Sequence, residues 1–315
     1  MARILITGGS GFIGARVAAA LAARGDTVVS FDTVVGPEIA SLAEANGRVT
    51  TVTGTLTEWP HVADAVRIAA PDAIVHCAAV VGVVNSLASP VTTMRVNVEG
   101  SLHVLECMRL FGVRRLVNLS TEEIYGHFTA DLIDEEHPCR PIAPYGITKF
   151  AVEQLARDHA RTHGLECIHV RTPWVYGPRF PRPRAPMTML DAALAGRPLH
   201  MARGGDFVVD HVHVDDTVAG ILLALDKPDH RYDAYHIATG TMPSLAEIAA
   251  IIRALVPGSE ITVGPGPYYF GDKVAAVRKG ALAIDRARAE LGYAPRHDIR
   301  SGIAAYIAEA VAGPR

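Results

Sequence analysis

Apolar positions in the first half of the chain fall into two alternating kinds. Short runs, Arg3–Thr7, Thr27–Phe31, Arg48–Thr53, Ala73–His76 and Arg115–Ser120, have the length and residue types of β-strands. Longer stretches with helical spacing lie between them, and the alanine-rich run Gly14–Arg24 is the clearest. Leu165–Val170 continues the series. Strands separated by helices of this size imply parallel βαβ units whose crossovers cover both faces of one sheet. The expected fold class is α/β, a doubly wound parallel sheet.

The pattern changes after Gly177. Residues 178–186 are rich in proline and arginine and predict a loop, followed by a short helix, Met187–Ala195. Asp206–Val214 reads as strand, Asp215–Leu225 as helix, and Tyr235–Ala238 as one more strand. Ser244, with Glu247 three residues on, forms a capping box that starts another helix. A turn region, Gly264–Pro267, precedes further helical patterns. The sheet domain is thus expected over 1–177, with 207–239 returning to it. Residues 178–206 and 240–315 form a smaller lobe for substrate.

Composition removes several classes of function. The 315 residues are 49% hydrophobic, enough for a full core, and the formal net charge of -3 leaves no footprint for a nucleic-acid backbone. No run approaches the roughly 20 apolar residues of a membrane helix, and no targeting segment precedes the first strand. Four cysteines show no paired spacing, which suits a reduced, cytoplasmic protein. The 14 histidines are dispersed; His211 and His213 alternate as strand neighbours, and no metal is expected.

The first strand runs into Thr-Gly-Gly-Ser-Gly-Phe-Ile-Gly (Thr7 to Gly14) and then a helix. In that context Gly8, Gly11 and Gly14 supply a tight turn, close approach of a pyrophosphate and close helix packing. Free N–H groups at the helix start face the phosphates. Asp32 closes the second strand, where a carboxylate accepts hydrogen bonds from the ribose hydroxyls and repels a 2′-phosphate. No arginine follows directly, so NAD is expected over NADP, on a Rossmann-type sheet.

Tyr145 and Lys149 are four apart on one face of a predicted helix, Phe150–His163 with its preceding turn. An ammonium beside a phenol lowers the phenol pKa, which makes Tyr145 a base. Thr121 follows the strand that ends near Asn118 and is the expected hydroxyl partner, at the end of the sheet where ligands bind.

These motifs, with His76-Cys-Ala-Ala79, Asn97-Val-Glu-Gly100, Ser120 to Gly126, Val175-Tyr-Gly-Pro-Arg179 and His213-Val-Asp-Asp216 in order, make the chain resemble an extended short-chain dehydrogenase/reductase. The resemblance is to the NAD-dependent epimerase/dehydratase (sugar-nucleotide-modifying) family and covers nearly the whole chain. It implies NAD held by Gly8, Gly11, Phe12, Ile13, Gly14, Asp32, Thr33, Leu56, Ala78, Ala79, Asn97, Pro173 and Val175, together with Tyr145 and Lys149. It implies hydride transfer at Thr121, Tyr145 and Lys149, with Val80 and Trp174 toward a carbohydrate substrate. It also implies a homodimer through a four-helix bundle. In the dehydratase branch an acidic pair follows the threonine; Glu122 and Glu123 occupy those places, and either acid–base work or solvation fits them.

Three positions depart from the family pattern. Thr55 replaces an adenine-contacting aspartate. Trp174 and Val209 stand where nucleotide-sugar enzymes usually carry an asparagine and an arginine facing the diphosphate. Either Arg179, Arg182 and Arg184 supply the anion site, or the substrate is a free sugar acid or other non-nucleotide hydroxy compound. A catalytically idle NAD-binding scaffold is a third reading, which an intact Thr121, Tyr145 and Lys149 disfavours.

Overall fold

The computed structural model describes residues 1–271 and 273–312. Its centre is a seven-stranded sheet in which every neighbouring pair is parallel. Across the sheet the strands run Ala234–His236, Glu166–Thr172, Arg115–Thr121, Ala73–His76, Arg3–Thr7, Thr27–Asp32 and Val49–Thr53. The expected doubly wound α/β sheet is therefore present.

Helices cover both faces, so the strands bury side chains in both directions. Ile4, Ile6, Val75 and Val117 enter one core cluster with Val17 and Leu21 of the helix Gly14–Ala23. Their neighbours Leu5, Ile74 and Leu116 enter the opposite cluster with Leu105 and Met108. This is the period-two alternation of a strand, with apolar residues at both phases.

Arg3–Thr7 pairs with Thr27–Asp32 on one side and Ala73–His76 on the other. The chain winds in opposite directions from this point, and a crevice opens beyond the carboxyl ends of the strands. Both the glycine loop and the segment after His76 empty into it.

The strand expected over Asp206–Val214 is reduced to His211–His213, which pairs with Trp174–Tyr176 outside the main sheet. Asp210 is the reason. Its buried carboxylate accepts the N–H groups of Thr239, Gly240 and Leu282, and its own N–H donates to the Gly280 carbonyl. With its N–H turned to Gly280, Asp210 offers the neighbouring strand only its carbonyl, which accepts the Trp174 N–H (3.2 Å), and the paired strand begins at His211.

A third apolar cluster sits apart from the sheet and joins Met187, Leu190, Leu245, Ile248, Ile261 and Ile303. The capping box of Ser244 and Glu247 starts the helix Leu245–Leu255 within it. Ile284, Ala287 and Leu291, by contrast, pack into the sheet's own core. Among the described residues no helix is long and apolar enough to cross a membrane.

Candidate active site

A cavity of about 990 Å3 opens over the carboxyl ends of the central strands. The glycine loop forms one wall. Gly8 has φ of 71°, and a Cβ there would stand 2.6 Å from the Ala78 nitrogen. A Cβ on Gly14 would meet the Gly8 carbonyl oxygen at 2.1 Å. Only glycine lets the loop close this tightly, so the start of the helix Gly14–Ala23 faces the cavity with its N–H groups free for an anion.

Asp32 also lines the cavity. Its Oδ2 accepts the Ser10 N–H (3.1 Å) and keeps a further lone pair for a ribose hydroxyl, while Oδ1 accepts both the N–H (2.7 Å) and the hydroxyl (3.3 Å) of Thr33. Phe12, Ile13, Thr33, Leu56, Ala78, Ala79, Val80, Pro173 and Val175 reach the cavity as the sequence implied. Asn97 does not. It is buried in a π-helical turn, Arg95–Glu99, accepts the Val80 N–H (2.7 Å), and donates to the Val80 carbonyl (3.1 Å) and Thr148 Oγ1 (3.0 Å). The extra residue of the π turn re-aims this side chain, so Asn97 shapes the Val80 backbone instead of touching the cavity.

Thr121 ends its strand, Tyr145 opens the helix Pro144–His163, and Lys149 lies one turn further on the same face. All three line the cavity. The helix is drawn close because Gly146 packs on the Glu123 carbonyl, where a Cβ would come within 2.4 Å. The Thr121 hydroxyl caps the turn by accepting the Glu123 N–H (3.3 Å).

Burial pushes the Tyr145 phenol up to about 12; Arg182, Thr121 and Arg184 pull it down against that, and Glu123 adds to the rise. Burial pushes Lys149 down to about 8, with Cys77 and Glu153 opposing. The two arginines are thus the cations that most favour tyrosinate, ahead of Lys149. Its spacing carries the ammonium a turn deeper, toward Cys77 and Glu153.

The acidic pair is split. Glu123 lines the cavity, while Glu122 is 1% exposed and lies beneath it. Burial first, then Glu123 and Asp210, raise the Glu122 carboxyl to about 8 against the pull of Lys279. Glu122 is not placed to touch substrate.

The arginine cluster is split too. Arg182 and Arg184 line the cavity and donate to the carbonyls of Val81 (2.7 Å) and Val175 (2.6 Å). Neither forms an ion pair among the described residues, and the Arg184 Nε is buried without a partner. Arg179, at φ of 63°, turns outward to Glu38 and Glu309 and does not line the cavity. Trp174 lies under the Arg184 guanidinium, 4.7 Å from its ring centre, and Val209 is buried away from the cavity. Phe180, Tyr268 and Phe270 complete an aromatic end that the sequence reading missed. The run Tyr268-Tyr-Phe270 beside glycines and prolines was its only signal.

A match to the family of NAD-dependent epimerases and dehydratases runs over residues 4–238. The chain belongs to that family. It is 30% identical to a UDP-glucose 4-epimerase of Mycolicibacterium smegmatis, over 96% of both chains. It is 35% identical to a dTDP-glucose 4,6-dehydratase of the same organism, over 96% of this chain and 91% of that one. Among solved structures it is similar to MoeE5 in complex with UDP-glucuronic acid and NAD, with a TM-score of 0.85, 27% identity and 99% of each chain covered. This is an NAD-dependent enzyme of the extended short-chain dehydrogenase/reductase kind, and its cofactor is NAD. The glycine cradle and the Asp32 carboxylate fit that dinucleotide.

Proposed function

We propose that this enzyme oxidises a secondary hydroxyl of an acidic sugar or sugar nucleotide with Tyr145 as base, and then epimerises or dehydrates the ketone. The observation that carries this is the convergence of Thr121, Tyr145, Glu123, Arg182 and Arg184 on one cavity beside the glycine loop. The substrate hydroxyl sits between the oxygens of Thr121 and Tyr145. Tyr145, as phenolate, takes the hydroxyl proton while the hydrogen on the same carbon leaves as hydride, so the alcohol becomes a ketone. NAD, when bound, supplies the hydride acceptor. Lys149 holds the nicotinamide ribose from the turn below. Glu123 takes the proton from the carbon beside the ketone and passes it to the hydroxide that departs from the next carbon, so that water leaves, and the substrate then takes back the hydride, with no net NADH.

The acidic group follows from the two arginines. Half-buried guanidinium groups without a carboxylate partner favour an anionic ligand. Trp174 and Val209 support a second reading, in which the substrate is a free sugar acid and the ketone is released with net NADH. Incubation with UDP-glucose, dTDP-glucose, UDP-glucuronic acid and free uronic acids, read by NADH absorbance and product NMR, separates the two. Turnover of UDP-glucose or dTDP-glucose, whose sugar ring is uncharged, with none of the uronic acids or UDP-glucuronic acid would overturn the acidic assignment.

Arg182→Ala and Arg184→Ala are each expected to lower kcat/KM on the acidic substrate by ~10–100-fold, the range for a charge-assisted hydrogen bond. The analogue whose sugar ring is uncharged should change far less, and equal losses on both would place the arginines on the shared diphosphate and not on a sugar acid.

The proposal extends to a homodimer in the cytoplasm, where the four free thiols stay reduced. Helices Val83–Ala88, Pro90–Met94 and Gly100–Phe111 pack on Pro144–His163 and leave Val84, Leu87, Val91, Met94 and Ile147 exposed. A contiguous apolar face of this kind suits a four-helix bundle between two copies. Light scattering should give twice the chain mass, and Val91→Glu should reduce it to one. A monomeric wild type sinks this part.

A further inference from the structure

Beneath the cavity lies a charged group that the mechanism above does not use. Lys279 is 3% exposed, and its Nζ stands 3.5 Å from Glu122 Oε1 and 3.3 Å from Glu123 Oε2. The Phe128 ring lies on another side of the ammonium, 5.2 Å from Nζ to its centre. Lys279 therefore has two carboxylates within reach and almost no water.

The segment around it is built to deliver it there. Arg278 donates to the Phe128 carbonyl (3.3 Å) and to Asp131 (2.7 Å), and its carbonyl accepts the Phe128 N–H (3.0 Å). Ala281–Leu282 pairs in parallel with Leu132–Ile133. A Cβ on Gly280 would come within 2.2 Å of the Asp131 carbonyl oxygen, so glycine lets the backbone seat fully. Both neighbours of Lys279 are thus fixed to the stretch that follows the catalytic turn, and the lysine is threaded under Glu122 and Glu123.

We propose that Lys279 is a positioning residue for the active site: one ammonium held between two adjacent carboxylates fixes which carries the negative charge and where the cavity-facing one points. This rests on Glu123 being the carboxylate that meets substrate. Two like charges side by side in a dry site cannot both ionise freely, and the cation decides between them. Glu122, sealed from water, keeps its proton at neutral pH, which leaves the ammonium to Glu123. The surrounding charges agree with this division. Glu122 also faces Asp210, which disfavours a second negative charge on it. Glu123 faces Tyr145, and Arg184 acts on both glutamates from the cavity side by its charge, without an ion pair to either among the described residues. Above about pH 8 Glu122 ionises and competes for Lys279, so the hold on Glu123 weakens.

The test uses the NAD-loaded enzyme labelled with 13C at the glutamate carboxyls, with Glu122 and Glu123 assigned by Gln substitution. In wild type the Glu122 signal should titrate near pH 8. In Lys279→Met that titration should move upward by more than one pH unit, while Lys279→Arg stays near wild type. On substrate, Lys279→Met should lose about tenfold or more in kcat with KM little changed, and the pH profile should shift in the same direction. If Lys279→Met does not fold, the double variant Glu122→Gln/Lys279→Met removes the buried pair together; the proposal then requires its kcat to fall while Glu122→Gln alone retains most activity. Unchanged titration and an unchanged pH profile in the lysine variants would overturn the assignment. A wild type that oxidises no sugar would defeat the proposed function and leave the titration result standing.

Discussion

Replacing Tyr145 by phenylalanine is expected to lower kcat by about 10³-fold, within the range for removing a general base, and to leave NAD affinity unchanged. The change deletes one oxygen from a side chain that is 8% exposed and keeps the ring that packs the start of the helix. Folding should therefore be retained, and a titration of NAD against the variant checks that the site is intact. The reaction needs phenolate, and burial places the phenol at about 12 in the absence of ligand. The rate of wild type should then climb with pH up to about 8, where Glu122 begins to compete for Lys279, because the active form of Tyr145 is the deprotonated one. Arg182 and Arg184 pull the phenol down, so removing either should displace that limb to higher pH. A Tyr145→Phe variant within about tenfold of wild type would move the base elsewhere, with Glu123 the next group to examine.

The parts of this site that were legible in the sequence are those set by short-range backbone demands. Gly8 and Gly14 are required by contacts within the loop or with the adjoining strand exit, and a strand–glycine–helix order announces them. Tyr145 and Lys149 need only helical spacing. Legibility fails where direction is decided by a local distortion. The π turn swings Asn97 onto Val80, and a positive φ swings Arg179 out to Glu38 and Glu309. It fails again where a partner arrives from far along the chain. Glu122 and Glu123 look equivalent in sequence, and only the fold distinguishes them, by sealing Glu122 beneath the cavity that Glu123 lines, with Lys279 docked under both. The strand expected over Asp206–Val214 was cut short for the same reason, since the Asp210 N–H turns to Gly280.

The largest stability loss is expected from Arg171→Met, at about 3–5 kcal/mol, the range for breaking one side of a buried ion pair. Arg171 and Glu153 are 3% and 0% exposed. Arg171 donates to both Glu153 oxygens (2.7 and 3.1 Å), to the Tyr125 hydroxyl (2.7 Å) and to the Glu135 carbonyl (2.9 Å). Ser120 adds a hydrogen bond to Glu153 from the neighbouring strand at 2.6 Å. The network fastens the helix that carries Tyr145 and Lys149 to the two strands behind it, so its loss should also loosen the catalytic geometry. Burial alone would raise the Glu153 carboxyl, but His169, Arg171 and Ser120 outweigh it and hold it at about 2, below its ordinary 4.5. A carboxyl depressed on folding contributes stability that is complete above 4.5 and is lost as pH falls toward 2. Urea midpoints measured from neutral pH downward should therefore drop steeply in that window for wild type. Arg171→Met should start lower and fall less, because Glu153, left with Arg157 (3.2 Å) as its one paired cation, takes up a proton at higher pH. A loss below about 1 kcal/mol, typical of an exposed pair, would mean that the strut does not anchor the catalytic helix.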